Sequence, residues 1–186
     1  MNLVKEINEK RNLFLRVQNI YSLLFISLIF SLDRFSKIKI LNHFSENTFF
    51  VNDYINLDLI WNTGIGFGLL SSETSIMYNV ITIIIFLVIL LLFYFSLISS
   101  KLDNFIFSII IGGASGNLYD RLFYNAVPDF IDIHYNNFHW FTFNVADIFI
   151  TLGIMVLESF HYMNTTKKRL TLQIEVFFME KAIQLL

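Results

Sequence analysis

Four apolar runs of helical length divide the chain, and the polar residues that interrupt them are unevenly placed. The clearest run, Ile76 to Ile98, contains no charge. A helix needs about 20 apolar residues to cross a bilayer core, because lipid offers the backbone no hydrogen-bond partners. A second run covers residues 17–33, between Arg16 and Asp33. A third covers 104–121 and is studded with small residues in IIIGGASGNLY. The fourth, 141–163, carries Asp147 near its start and Glu158 near its end. This pattern predicts an all-α membrane protein with four transmembrane helices.

Between the first two runs, residues 35–73 form a long connection. Within it INLDLIWN alternates apolar and polar positions like a strand, so a small β-like subdomain is expected around Ile55 to Trp61. Residues 122–140 are expected to form a second loop on the same side, and the link around Ser99 to Asp103 is very short. Residues 1–166 are expected to make one membrane domain. The tail 167–186, after Lys167-Lys168-Arg169, is too charged and short to span and is expected to be an amphipathic helix on the membrane surface. No small-x-small cleavage site follows the first run, which argues against a removable leader.

Charge sets the orientation. Lys5, Lys10, Arg11, Arg16, Lys101, Lys167, Lys168 and Arg169 fall on one side of this topology, and Arg34, Lys37, Lys39 and Arg121 on the other. The bias places both termini in the cytoplasm. The chain has no Cys, and its four His form no pair at metal-ligand spacing, so neither disulfides nor a metal centre is expected. A net charge of −2 without a basic stripe gives no reason to expect nucleic acid.

Helix parity then gathers the unusual polar groups. The first and third helices run outward, which brings Asp33, Arg34, Lys37, Asn117, Asp120 and Arg121 to their outer ends. The fourth runs inward, so Asn144 and Asp147 come early, with Asp147 about 9 Å below the outer end of a helix starting at 141. Asn62 and Gly64 belong to the outer connection. Gly113, Asn117 and Asp120 share one helical face, as do Asn144 and Asp147, and Gly112-x-x-x-Gly116 allows close helix approach. Acids and amides at one depth in lipid point to a functional site.

Each residue also has a plainer explanation. Asp120-Arg121 fits an ion pair at a helix end, and Asp33 with Lys37 an i, i+4 anchor. Asp132 and His134 read as solvated loop residues. Asp147 alone fits a relay acid in a proton- or ion-coupled transporter, although the paired repeats and broken helices of such proteins are not visible. A scaffold gives no reason for polar groups at one depth. No Ser or Cys sits in a nucleophile setting, which leaves the acids. Asp129, in AVPDFIDIHY, follows the third helix by a short turn, and Asp147 opens the fourth. Two close carboxylates share a proton, so one can deprotonate water while the other polarises a carbonyl.

At these residues the chain resembles the bacterial lipoprotein signal peptidase (signal peptidase II) family. Asp33-Arg34-Phe35-Ser36-Lys37 matches its D-x-x-x-K block, and Asn62 to Gly68 (NTGIGFG) its N-x-G-x-A-F-G. GGASGNLYDR, Gly112 to Arg121, matches GGAxGNxxDR; Val127-Pro128-Asp129-Phe130 matches V-x-D-F; and Phe143 to Asp147 matches FNxAD. The blocks fall in order over residues 17–163. Arg34 stands where Gln is usual, Gly66 replaces Ala, Pro128 precedes Asp129, and Asn125-Ala126 lacks the family's Gly. The resemblance implies a membrane aspartyl endopeptidase of the bacterial inner membrane, with its site near the outer face. It would remove signal peptides from diacylglyceryl-modified prolipoproteins just before the lipidated Cys. It implies Asp129 and Asp147 as catalytic and Asn62, Gly64, Asn117, Arg121 and Asn144 as substrate-binding, with Asp33, Lys37 and Asp120 in support. No cofactor is expected, and the chain is expected to work as a monomer surrounded by membrane lipid.

Overall fold

In the computed structural model, residues 16–43, 48–64, 75–136 and 138–184 are described. Four helices and four strands follow in order: α1 (Val17–His43), β1 (Phe49–Asn52), β2 (Ile55–Asn62), α2 (Ser75–Ile98), α3 (Lys101–Tyr124), β3 (Val127–Tyr135), β4 (Phe138–Phe143) and α4 (Val145–Gln184). The mostly helical chain thus carries a small antiparallel sheet of order β1-β2-β3-β4.

Helix α3 is the hub and packs against α1, α2 and α4. Its glycines make this possible. A Cβ on Gly112 would lie 2.8 Å from Ile29 Cβ of α1, and one on Gly113 2.6 Å from the Ala146 carbonyl oxygen of α4. At Gly116 it would overlap the Asp33 carboxylate. The small-residue spacing therefore does bring helices close, on two sides of α3.

Two helical segments, Ile76–Ile98 and Val145–Thr166, are long and apolar enough to cross a membrane. They are largely uncovered, with only 28% and 11% of their windows buried, so neither resembles the core helix of a water-soluble protein. Exposed Ser27 and Ser31 of α1 donate to the carbonyl oxygens of Leu23 and Ser27, at 2.9 and 2.7 Å. Those hydroxyls are satisfied within their own helix.

Elements begin and end where local chemistry dictates. Ser100 caps α3: its hydroxyl accepts from Asp103 N at 3.3 Å and donates to the Asp103 carboxylate at 2.9 Å. Asn125 ends the same helix in the left-handed region, at φ 54° and ψ 21°. Asn tolerates that conformation better than most residues, so it does the work of the Gly the family pattern carries there. Pro128 pairs with Trp61 at the start of β3, where a strand accepts a residue without an N–H.

Several boundaries differ from the sequence expectation. Helix α1 continues ten residues past Asp33 to His43, because Asp33, Arg34 and Lys37 find partners inside the bundle. Residues 127–135 and 138–143 are strands, where a loop and the start of the fourth span were expected. That helix begins at Val145 and runs as far as Gln184. The motif residues Ile65 to Gly68 and the side chains of the tail from 167 lie outside the described residues.

Candidate active site

The sheet and the helix ends converge on two acids. Asp129 comes from β3 and is 2% exposed. Its Oδ2 accepts from Asn62 Nδ2 at 2.8 Å and its Oδ1 from Asn144 Nδ2 at 2.6 Å. Both amides are oriented from behind: Asn62 Oδ1 accepts from Gly64 N at 2.8 Å, and Asn144 Oδ1 from Asp147 N at 3.1 Å. Their NH2 groups are therefore committed to Asp129. Burial, and then the charge of Asp147, push the Asp129 carboxyl up from 3.8 to about 6, against the lowering effect of the Asn62 and Asn144 bonds and of Lys37.

Asp147 stands in the first turn of α4. Its Oδ2 accepts from Asn144 N at 3.1 Å, reciprocating the bond from Asp147 N to Asn144 Oδ1, so the pair forms a capping box. Its Oδ1 accepts from Asn117 Nδ2 of α3 at 2.8 Å. Asn144 therefore touches both acids and fixes one relative to the other. The i, i+3 spacing of Asn144 and Asp147 is visible in the sequence, and the cap it makes was the missed signal.

Behind Asn117 lies a charged cluster. Lys37 Nζ, fully buried, donates to Asp33 Oδ2 at 2.8 Å, Asp120 Oδ2 at 2.7 Å and Asn117 Oδ1 at 2.8 Å. Arg34 donates to the other oxygen of Asp120, and its guanidinium lies 4.7 Å from the Tyr119 ring centroid. The second Asp33 oxygen accepts from Ala146 N at 3.0 Å, in the first turn of α4. Two acids and two bases are thus taken out of solvent as a neutral group. Arg34, placed by helix parity at this end of α1 and a departure from the family pattern, is one of them.

Two expectations need correction. Asp120 and Arg121 do not pair with each other: Asp120 meets Lys37 and Arg34, whereas Arg121 donates to the Gly64 carbonyl and lies 5.5 Å from the Tyr78 ring centroid. Consecutive helical residues point in different directions, so adjacency in sequence is not contact. Asp132 and His134 are not solvated but 2% and 8% exposed on β3, with Asp132 Oδ2 2.7 Å from His139 Nδ1. Successive strand residues alternate faces, which turns both away from the face that carries Asp129.

All ten residues singled out from the sequence fall in this one region. Asn62, Asp129, Asn144, Asp147, Asn117, Lys37, Asp33 and Asp120 form a continuous chain of hydrogen bonds. Gly64 joins it through Asn62 and carries Arg121.

Comparison with known proteins agrees with the motifs. The family model described as Signal peptidase (SPase) II matches residues 25–162. The lipoprotein signal peptidase of Pelagibacter ubique (strain HTCC1062) is 46% identical over 147 residues, 77% of this chain and 89% of the relative. That of Wigglesworthia glossinidia brevipalpis is 39% identical over 136 residues, 72% of this chain and 89% of the relative. A solved structure described as a bacterial membrane enzyme aligns with TM-score 0.66 and 28% identity, over 80% of this chain and 91% of its own. The family assignment gives no support to the transporter alternative. With a family model matched across most of its length and close relatives matched nearly end to end, the chain belongs to the signal peptidase II family of membrane peptidases.

Proposed function

We propose that Asp129 and Asp147 form a proton-sharing dyad that hydrolyses diacylglyceryl-modified prolipoproteins immediately before the lipidated Cys. The observation that carries this reading is Asn144, which hydrogen-bonds both acids, while burial and then the charge of Asp147 raise Asp129. An acid brought near neutrality beside a second one matches the requirements of general acid–base catalysis. A water between them loses a proton to the ionised carboxylate and attacks the scissile carbonyl carbon. The protonated partner gives its proton to the carbonyl oxygen. Collapse of the tetrahedral intermediate breaks the C–N bond, and a carboxyl proton passes to the leaving amine of the Cys.

The remaining site residues hold this arrangement and the substrate. Asn62, Asn117 and Asn144 orient the acids. Arg121 is buried, and its Nε and Nη1 have no partner among the described residues, which leaves donors for a substrate carbonyl beside Gly64. Asp33, Lys37 and Asp120 brace α1 and α3 behind Asn117.

All four helices cross the bacterial inner membrane in this reading, with both termini cytoplasmic and the dyad at the outer interface. Helices α1 and α3, of 27 and 24 residues, are long enough to span, and their charges are concentrated towards their ends. The exposed aromatics Phe49, Phe50, Trp61, Phe138 and Trp140 on the sheet suit the headgroup level. Reporter fusions at Ser100 and after Arg169 should read cytoplasmic and one near Ser45 external; the reverse would sink this topology. The cleavage claim is tested with purified protein and a synthetic precursor, read by mass spectrometry. The reading predicts a new N-terminus at the diacylglyceryl-Cys and no cut in the unlipidated precursor. Cleavage elsewhere, or of both precursors alike, contradicts it.

A further inference from the structure

At the end of the bundle remote from the acids, α1 and α3 begin side by side around a cavity of about 430 Å³. Its wall includes Arg16, Gln18, Tyr21, Phe25, Lys101 and Phe105. Asp33 lies about 24 Å further along α1 than Val17, so this space is separate from the dyad.

The wall is divided by chemistry. Arg16 and Lys101, both exposed, stand at the starts of α1 and α3. There the backbone N–H groups of each first turn add partial positive charge. Tyr21, Phe25 and Phe105 are 59%, 37% and 39% exposed, and Phe25 meets Phe105 edge to face at 4.8 Å. The polar groups beneath are already engaged: Asn104 Nδ2 donates to Asn19 Oδ1 at 2.9 Å, and the Ser22 and Ser108 hydroxyls are 2.5 Å apart. Asp103, the acid of this turn of α3, has its own partners. It is bonded to Ser100 and faces His161 of α4 at 3.4 Å.

Two cations, two helix starts and an aromatic wall fit a phosphodiester attached to a hydrocarbon chain. We propose that this cavity binds an anionic glycerophospholipid, with its phosphate against Arg16 and Lys101 and an acyl chain against Tyr21, Phe25 and Phe105. The depth is appropriate. With the dyad at one interface, about 24 Å of helix brings the cations close to the other, given a hydrocarbon core of about 30 Å. Basic pockets between membrane helices on the cytoplasmic side bind such headgroups. The basic start of a bound signal peptide has the wrong charge for this place. This depth, and the name of the leaflet, cytoplasmic, rest on the topology proposed above.

The test is native mass spectrometry of the full chain in neutral detergent, without substrate, titrated with phosphatidylglycerol or with phosphatidylcholine of the same chains. The wild type should retain one phosphatidylglycerol at a concentration about tenfold lower than phosphatidylcholine. Arg16→Gln with Lys101→Gln should abolish that preference, while Arg16→Lys with Lys101→Arg keeps it. The Gln pair should cleave a lipidated precursor at the wild-type rate, which verifies its fold. Equal retention of the two lipids would overturn the proposal, as would a Gln pair that still prefers phosphatidylglycerol or a charge-keeping pair that does not. Displacement of the lipid by millimolar inorganic phosphate would assign the site to a small anion instead. A chain that bound phosphatidylglycerol selectively but cleaved nothing would count against the peptidase proposal alone.

Discussion

Replacing Asn144 with Ala removes a residue bonded to both acids, and its consequences separate by pH. The variant loses the cap on α4, worth about 1 kcal/mol. It also loses the 2.6 Å donation to Asp129 Oδ1, a hydrogen bond to a charged group worth roughly 1.5–3 kcal/mol when Asp129 is ionised. At about 1.4 kcal/mol per pH unit, that second loss moves the Asp129 titration up from about 6 by roughly one unit. The sign follows from linkage. A carboxyl raised from 3.8 to about 6 stabilises the fold fully below pH 4, and that contribution disappears as pH rises through 6. In the variant the decline continues about one unit higher. Its deficit against wild type should therefore be about 1 kcal/mol at pH 4 and about 2–3 kcal/mol at pH 8. Thermal unfolding in detergent at the two pH values measures this, and the cleavage–pH profile should move to higher pH in parallel. An equal deficit at both pH values with an unmoved profile would refute the claim that Asn144 stabilises ionised Asp129.

Lys37→Met leaves Asp33 and Asp120 buried with less compensation, and should cost about 3–5 kcal/mol in unfolding free energy; a loss below 1 kcal/mol would show that the cluster is not electrostatically coupled. Arg121→Lys keeps the charge but loses the planar fork, so cleavage should fall by about tenfold to a hundredfold without complete loss, and wild-type rates in Arg121→Ala would remove any role for it. Asp132→Asn disturbs the buried contact to His139 on the face away from Asp129 and should lower stability by about 1–3 kcal/mol while cleavage continues. A loss of cleavage from Asp132→Asn at temperatures where the fold is intact would place it in the catalytic machinery.

The helices were legible because lipid imposes one rule on every spanning backbone, and long apolar runs obey it whatever their neighbours. The gathering of the acids was legible for a related reason: charges that cannot face lipid must meet each other, and helix parity says at which end. Pairings were less visible. Asp120 sits beside Arg121 in sequence, yet its partners Lys37 and Arg34 lie more than eighty residues away on α1. Strand β2 was readable from its alternation, but β3 carries buried acids on both faces, Asp129 and Asp132, and so shows no simple period. Strand β4, FHWFTF, is apolar enough to merge with the helix that follows it. Only the cap at Asn144 separates the two.

Asp129 and Asp147 are the centre of the account, and their coupling is measurable directly. Purified protein in detergent, with EDTA present, is given a lipid-modified prolipoprotein, and the product is followed by gel shift. Residues that act as a unit are strongly non-additive. Asp129→Asn and Asp147→Asn should each nearly abolish cleavage, and the double variant should be scarcely slower than either. Substantial cleavage by either single variant, or a wild type stopped by EDTA, would contradict a metal-free dyad.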